Sequence, residues 1–320
     1  MDAAEVEIGL ARGMTGSIMN LETHRSGLDR VARVLESTGE YRILRRLLPF
    51  AAFAEPDGAP VTRAVYLDVE TTGLDPAVDE IIEIAMVPFD CSADGRIFAV
   101  HESFDRLRDP GRPIPPAVAA LTGIDDAAVA GLSIDPAEIE SFLGDAGLVI
   151  AHNASFDRPF AERFCGAFAR LPWACSWREV PWVAEGFAEG AKLGQLLAAA
   201  GLFHDGHRAV NDCRAGLELL SRTLPRSGRT GLGLLLDSAR ATRWRVRAVG
   251  APFEMRECLK RRGYRWDPGA VGRAKAWSVD IGDNELEGER AYLRSEVYGR
   301  DGAPVDVRRM DAVDRYSDRC

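Results

Sequence analysis

Two acidic residues stand one residue apart in the stretch AVYLDVETTG, residues 64–73. Ala64, Val65, Tyr66, Leu67 and Val69 are the types that fill a strand inside a sheet. Alternation along such a strand turns Asp68 and Glu70 to one face. Like charges on a half-buried surface repel, and each resists leaving water. A divalent cation resolves the conflict, because Mg²⁺ and its kind take oxygen ligands and neutralise converging carboxylates. Taken alone, the pair fits an exposed strand face better than a metal site. Support comes further along. VIAHNASFDRPF places Asp157 in the first turn of a helix after a strand, and HDGHRAVNDCRAG places His207 five residues before Asp212, early in another helix. Singly these are an ordinary acid near a helix start and a surface histidine. Jointly they give four carboxylates and one imidazole at strand ends and helix starts, where open sheets build their sites.

The elements that must position these groups follow from patterning. Residues 29–48 carry apolar positions suited to one or two short amphipathic helices interrupted at Thr38-Gly39. EPDGAP reads as a linker ending near Pro60. Strands are expected at 64–70, 81–89 and 96–104 as an antiparallel meander. Short helices follow at PIPPAVAALTGI, DDAAVAGL and DPAEIESFLG, each with Pro or Asp at its start. LVIA is a short apolar strand, ASFDRPFAERFCGAFAR the helix after it, and KLGQLLAAAG and RAVNDCRAGLELLSRTL two more amphipathic helices. Pro225 and the polar cluster after it mark a domain end. The remainder reads β-α-β-β-α. The expected organisation is therefore a helical N-terminal extension (1–60), an α/β domain (61–225), a linker (226–240), a small basic α+β domain (241–300) and a disordered tail (301–320).

DVETTG, HNxxFD and HRAxxD, in this order, resemble the three motifs of the DnaQ-like, DEDDh-type 3′→5′ exonucleases, relatives of the polymerase III proofreading subunit. The resemblance covers roughly residues 62–223, and PAVAALTGI and KLGQLL are also similar to segments of that family. It implies a ribonuclease-H-like fold, a mixed sheet flanked by helices, so that 61–225 becomes the exonuclease domain. It implies two divalent metal ions, Mg²⁺ or Mn²⁺. Asp68 would bridge them, Glu70 and Asp212 would complete the shell of the first, and Asp157 would serve the second. His207, at the family's H-x-x-x-x-D spacing, would be the general base. Position 208 is Arg, where a sister class would carry tyrosine. His204 is at the wrong spacing and reads as a loop residue.

Thr71, Thr72 and Gly73 directly follow the acids, and Gly73 permits close backbone approach, so this turn is a seat for a terminal nucleotide's sugar. Leu74 and Phe156 either pack against the last base or belong to the core. Asn153 hydrogen-bonds within the site, and His152 reads as structural.

Composition bounds the rest. Of 320 residues, 46% are hydrophobic, enough for a sizeable core. The longest apolar run, 47–54 with Pro49 inside it, is far too short to cross a bilayer. The acidic N-terminus lacks the charged and apolar regions of a signal peptide. Six scattered cysteines without a C-x-x-C pair argue against a zinc site or disulfide framework. These features point to the cytoplasm, with no membrane association. The net charge is −9, yet residues 224–275 hold thirteen Lys/Arg against four acids, +9, leaving −18 for the remainder. That basic segment interleaves Arg with Trp244, Phe253, Tyr264, Trp266 and Trp277. It fits strand binding by phosphate contact and base stacking, and equally a small fold with an aromatic core and a solvated arginine face.

The expected activity is metal-dependent 3′→5′ hydrolysis at single-stranded or frayed DNA ends, giving nucleoside 5′-monophosphates. The alternatives are an RNA 3′-end trimmer and an inactive nucleic-acid-binding adaptor. No clamp-binding peptide of the Q-x-x-L/M-x-F kind stands out, so a polymerase or repair partner is not indicated and a free-standing enzyme of repair or end-trimming is expected.

Overall fold

The computed structural model describes residues 27–269 and 272–319. The chain enters as helix α1 (residues 27–37) and the two-residue strand β1 (Arg45–Arg46). The sequence up to residue 26 lies outside the described residues, as does that part of the expected extension. A second helix over the 40s does not form. Gly39 takes a left-handed turn (φ 76°), after which the backbone finds sheet partners instead. Arg45 N donates to Gly201 O at 2.9 Å and Leu47 N to Phe203 O at 2.8 Å.

Strands β2 (Val61–Thr71) and β3 (Ile81–Ser92) form the long antiparallel pair at the centre of the main sheet. The third expected strand is broken in two, β4 (Ile97–Val100) and β5 (Phe104–Leu107), both paired antiparallel to β3. Between them the chain turns aside at His101, whose ring meets Asp90 at 2.8 Å. Helices α2 (Pro116–Thr122), α3 (Asp126–Val129) and α4 (Pro136–Leu143) follow where Pro and Asp mark helix starts; Asp125 and Asp135 cap the last two. Strand β6 (Leu148–Ala151) returns parallel to β2, and β7 (Trp173–Cys175), which the sequence did not reveal, lies parallel beside β6. Helix α5 (Ala154–Phe164) connects them. The result is a six-stranded mixed sheet of order β4-β3-β2-β6-β7 with β5 also on β3.

Helix α6 (Leu193–Ala199), strand β8 (Leu202–Phe203) and helix α7 (Ala209–Ser221) complete one flank. The stretch expected to be a linker is instead largely helix α8 (Gly231–Arg240). Thr230 caps it, and Leu232, Leu235 and Leu236 recur at helical spacing and are buried in the same core as α7. Period 2 along β2 separates the two cores. Ala64 and Tyr66 face α6, α7 and α8, while Val65, Leu67 and Val69 face α4 and α5.

Strand β9 (Arg243–Val249), helix α9 (Arg256–Arg261), strands β10 (Arg265–Asp267) and β11 (Ala276–Gly282) and helix α10 (Leu286–Tyr292) give the expected order. A further strand, β12 (Asp306–Met310), pairs antiparallel with β9 and closes a four-stranded sheet of order β10-β11-β9-β12. The expected disordered tail is therefore corrected. Beyond β12 the chain docks on the first domain, because the fully buried Arg158 of α5 donates to the carbonyls of Val313 (2.6 Å) and Arg315, and Trp173 N donates to Ala312 O at 2.7 Å. Arg315 in turn pairs with Glu179 at 3.0 Å. Polar and charged sequence misleads here because its partners are buried backbone carbonyls and a buried ion pair. Among the described residues, no helix is long and apolar enough to cross a membrane.

Candidate active site

Asp68 and Glu70 share the parity of Ala64 and Tyr66 and so face α7 near the end of β2. Helix α7 comes close because residue 216 is glycine: a Cβ there would run into the Tyr66 ring. Asp212, in the first turn of α7, is thereby brought over the strand. One carboxylate oxygen each of Asp68, Glu70 and Asp212 lie within 4.8 Å of one another. Asp157 arrives from the other face of the sheet. It is 2% exposed, and its Oδ1 accepts from Val69 N, between the two strand acids, at 3.3 Å. The four predicted acids thus meet at one end of the sheet.

Their electrostatics are those of like charges crowded together. Burial, then Asp157, Asp212 and Glu70, pushes the Asp68 carboxyl well above the usual range. Burial, then Asp212, Glu83 and Asp157, lifts Glu70 to about 8. Burial lifts Asp157 to about 8 as well, against the opposing hydrogen bond from Val69 N. Asp212 Oδ2 is buried with no hydrogen-bond partner among the described residues. A buried carboxylate oxygen without a partner, on an acid that meets two others, is what a hard divalent cation satisfies, so the residues present fit such an ion.

The histidines differ from expectation. His204, read from sequence as a bystander, has its Nε2 2.9 Å from Asp212 Oδ1. His207 is exposed, holds a left-handed backbone (φ 61°), and makes no hydrogen bond or ion pair among the described residues. His152 is a buried structural group: its ring nitrogens meet Ser176 Oγ and Ala191 O, both at 2.9 Å, and burial lowers it to about 4.

Sequence reasoning missed Glu83 altogether. It lies opposite Glu70 in the β2–β3 register and is fully buried. Its Oε1 accepts from Arg208 Nε (3.0 Å) and Nη2 (2.9 Å), and its Oε2 from Ala209 N at 2.9 Å. Arg208 and Glu83 therefore pin the start of α7, and with it Asp212, to the sheet. The third motif did contain this signal, in the Arg that precedes its Ala.

The surrounding candidates are placed as follows. Thr71 and Thr72 are buried and shape the turn: Thr71 Oγ1 donates to Gly73 O at 2.5 Å, and Thr72 Oγ1 receives Arg112 Nη2 at 2.6 Å. A side chain at Gly73 would strike the Asp79 carboxylate. Leu74 is 83% exposed, which removes it from the core. Asn153 (φ 87°) stands before α5 and accepts from Ser155 Oγ at 2.9 Å. Phe156 is half-buried, its ring 5.1 Å from that of Phe160.

A mixed sheet flanked by helices, with acids from two helix starts meeting a D-x-E strand, defines a ribonuclease-H-like nuclease domain. The exonuclease family model matches residues 65–220, and this part of the chain is similar to the DnaQ-like exonucleases of that superfamily. The DNA polymerase III subunit epsilon-like protein of Rhodobacter capsulatus is 35% identical over 202 residues, 59% of this chain and 28% of that protein. The PolC-type DNA polymerase III of Thermotoga petrophila is 30% identical over 179 residues, 54% of this chain and 13% of that protein. The chain thus spans well under a third of either curated relative. Among solved structures, exonuclease X in complex with 5′-overhanging duplex DNA shares 25% identity over 55% of this chain and 90% of that one, with a TM-score of 0.36.

Proposed function

We propose that the protein is a metal-dependent 3′→5′ exonuclease that hydrolyses the terminal phosphodiester bond of single-stranded or frayed DNA and releases nucleoside 5′-monophosphates. The observation that supports this most directly is the meeting of the Asp68, Glu70 and Asp212 carboxylates, with Asp157 held beside them by Val69 N and the orphaned Oδ2 of Asp212 among them. Asp68, Glu70 and Asp212 would hold one Mg²⁺ or Mn²⁺, and Asp68 with Asp157 a second. Such ions, when bound, neutralise charge at the phosphate and acidify the attacking water. The chain's own residues do the rest. The turn Thr71-Thr72-Gly73 seats the terminal sugar, while the exposed Leu74 and the half-buried Phe156 pack on the base and Asn153 fixes the turn before α5. His207 takes the proton of the attacking water. The water oxygen bonds to phosphorus as the bond from phosphorus to the 3′-oxygen breaks, and that oxygen leaves on the shortened strand, taking its proton from solvent.

His207 is suited to this by its position on an exposed loop directly before α7, and an imidazole is the side chain that most often serves as general base. A second reading has its own observation: His204 is the histidine that touches Asp212. Digestion of matched 5′-labelled DNA and RNA, with Mg²⁺ or Mn²⁺, separates these readings. A ladder shrinking from the 3′ end, slowed about 10²–10⁴-fold by His207→Ala, is expected. The same loss in His204→Ala alone would move the base to that residue. A ladder on RNA alone would keep the chemistry and place the protein in RNA processing. Binding without cleavage of either would refute the enzymatic reading in favour of an adaptor.

A further inference from the structure

A cleft of about 710 Å³ opens beside the carboxylate cluster rather than over it. One wall is the exonuclease domain at Ser155 and Arg178; the other is the small C-terminal sheet at Arg243, Arg265 and Trp266. Ser155 lies in the first turn of α5 two residues before Asp157 and about 200° round the helix from it, so the cleft and the site acid flank opposite sides of that turn. Arg178 Nη2 donates to Ser155 Oγ at 3.1 Å.

The arginines of this cleft fall into two kinds. Arg245 is held by Asp280 (2.7 Å) and Arg315 by Glu179 (3.0 Å), which are structural ion pairs. Arg178, Arg243 and Arg265 have no carboxylate partner among the described residues; Arg243 meets only Ser238 Oγ at 3.3 Å. Burial and then the charge of Arg178 pull the Arg265 guanidinium below its usual range, so these cations repel across the gap. Trp266, on the lip beside Arg265, is 53% exposed and is propped edge-on by Trp277, ring centres 5.5 Å apart. The cleft also contains Asp318, whose carboxyl is pushed up by burial and then by Glu162.

Guanidinium groups with no carboxylate in ion-pair reach among the described residues, converging from two domains with an exposed indole at the edge, match the backbone charge and base faces of a single nucleic-acid strand. We infer that the cleft between the two domains, through Arg178, Arg243, Arg265 and Trp266, holds the single strand on the 5′ side of the nucleotide presented to the carboxylates. This inference rests on the nuclease reading of the neighbouring site. The small basic domain is then a strand-holding element, and the reach of its basic face governs how tightly long substrates bind.

The test uses the full chain in EDTA, which stops hydrolysis, with fluorescence anisotropy on labelled trinucleotides and dodecanucleotides of matched DNA and RNA. Wild-type affinity is expected to rise with length. In Arg178→Gln/Arg265→Gln, affinity for the dodecanucleotide falls at least ~10-fold, and the slope of log Kd against log salt falls by about 1.4, as expected when two phosphates are no longer neutralised. Trp266→Ala, at an exposed position that leaves the fold alone, loses affinity by ~10-fold, the order of one stacked base. A double variant that binds the dodecanucleotide as wild type does, with the same salt slope, overturns the inference. The ratio of losses on DNA and RNA tells which strand the cleft prefers. Failure of the nuclease reading is seen separately: wild type that binds by length but leaves the trinucleotide intact with Mn²⁺ keeps the cleft and loses the chemistry.

Discussion

Raising the pH from 7 to 8.5 should destabilise the metal-free protein, and Mg²⁺ should remove the effect. Glu70 and Asp157 ionise at about 8 in the folded chain, against ordinary values of 4.5 and 3.8. Between those limits the folded state keeps protons that the unfolded state has released, so stability falls as pH rises and the loss is complete only above about 8. Integrating the difference from pH 7 to 8.5 for a group ionising at 8 gives about 1.3 kcal/mol, hence ~2.5 kcal/mol for two, or a few degrees in Tm. The window matters. His152, lowered to about 4, contributes stability that is lost as pH falls below 6.5, so it opposes the carboxylate trend in acid and is silent above pH 7. A cation must displace the retained protons, close to two at pH 7 from Glu70 and Asp157 alone and more with Asp68, so its apparent affinity should climb by at least ~60-fold per pH unit there. Thermal melts in EDTA and in Mg²⁺ at both pH values, with calorimetry in buffers of different ionisation enthalpy, read both effects. A Tm in EDTA that is flat or rising across the window, or cation binding without proton release, would refute a shared site.

Two further outcomes follow from burial. Arg208→Ala strips the ion pair from Glu83, which is fully buried, and should cost about 3 kcal/mol, the low end for such a loss because Ala209 N still bonds the carboxylate. An unchanged urea midpoint would show that the pair does not hold α7 to the sheet; hydrolysis should fall together with stability. Removing residues 304–320 takes away β12 and the carbonyls that Arg158 binds, so Tm should drop by several degrees. A truncated chain that melts as the full chain does would mean that the docked segment contributes nothing.

Much of the first domain was legible because its signals are local. The period-2 strand at 64–70, Pro and Asp at the starts of α2 to α4, and the apolar LVIA strand each act within a few residues. The three motifs likewise named the acids that meet. What stayed hidden depends on partners far along the chain. Nothing in RILRRLLP announces that Arg45 and Arg46 will pair with Leu202 and Phe203. Helix α8 was masked by the Ser/Gly/Arg/Thr cluster before it, though Thr230 in that cluster is its cap. The final segment looks solvated until Arg158 supplies a buried reason for it to dock. Spacing favoured His207, while contact favours His204, since a loop's path decides which ring reaches Asp212.

The geometry also explains how mutually repelling acids are kept in place. Asp157 and Asp212 each lie four residues after the cap residue that precedes their helix, Asn153 for α5 and Arg208 for α7. Both helices therefore turn their N-terminal ends, where unpaired N–H groups leave partial positive charge, towards the cluster. Both starts follow backbone in the left-handed region, Asn153 at 87° and His207 at 61°, two of the three such non-glycine residues among those described. Strain of that kind costs about 1–3 kcal/mol per residue and persists only where packing over-determines it. Here the packing is identifiable: Gly216 against Tyr66, and Glu83 against Arg208 and Ala209, fix α7 from one face of the sheet. Val69 N bonding Asp157 fixes α5 from the other. The acids are thus positioned by contacts that do not depend on a cation, and a cation entering relieves repulsion without having to assemble the site.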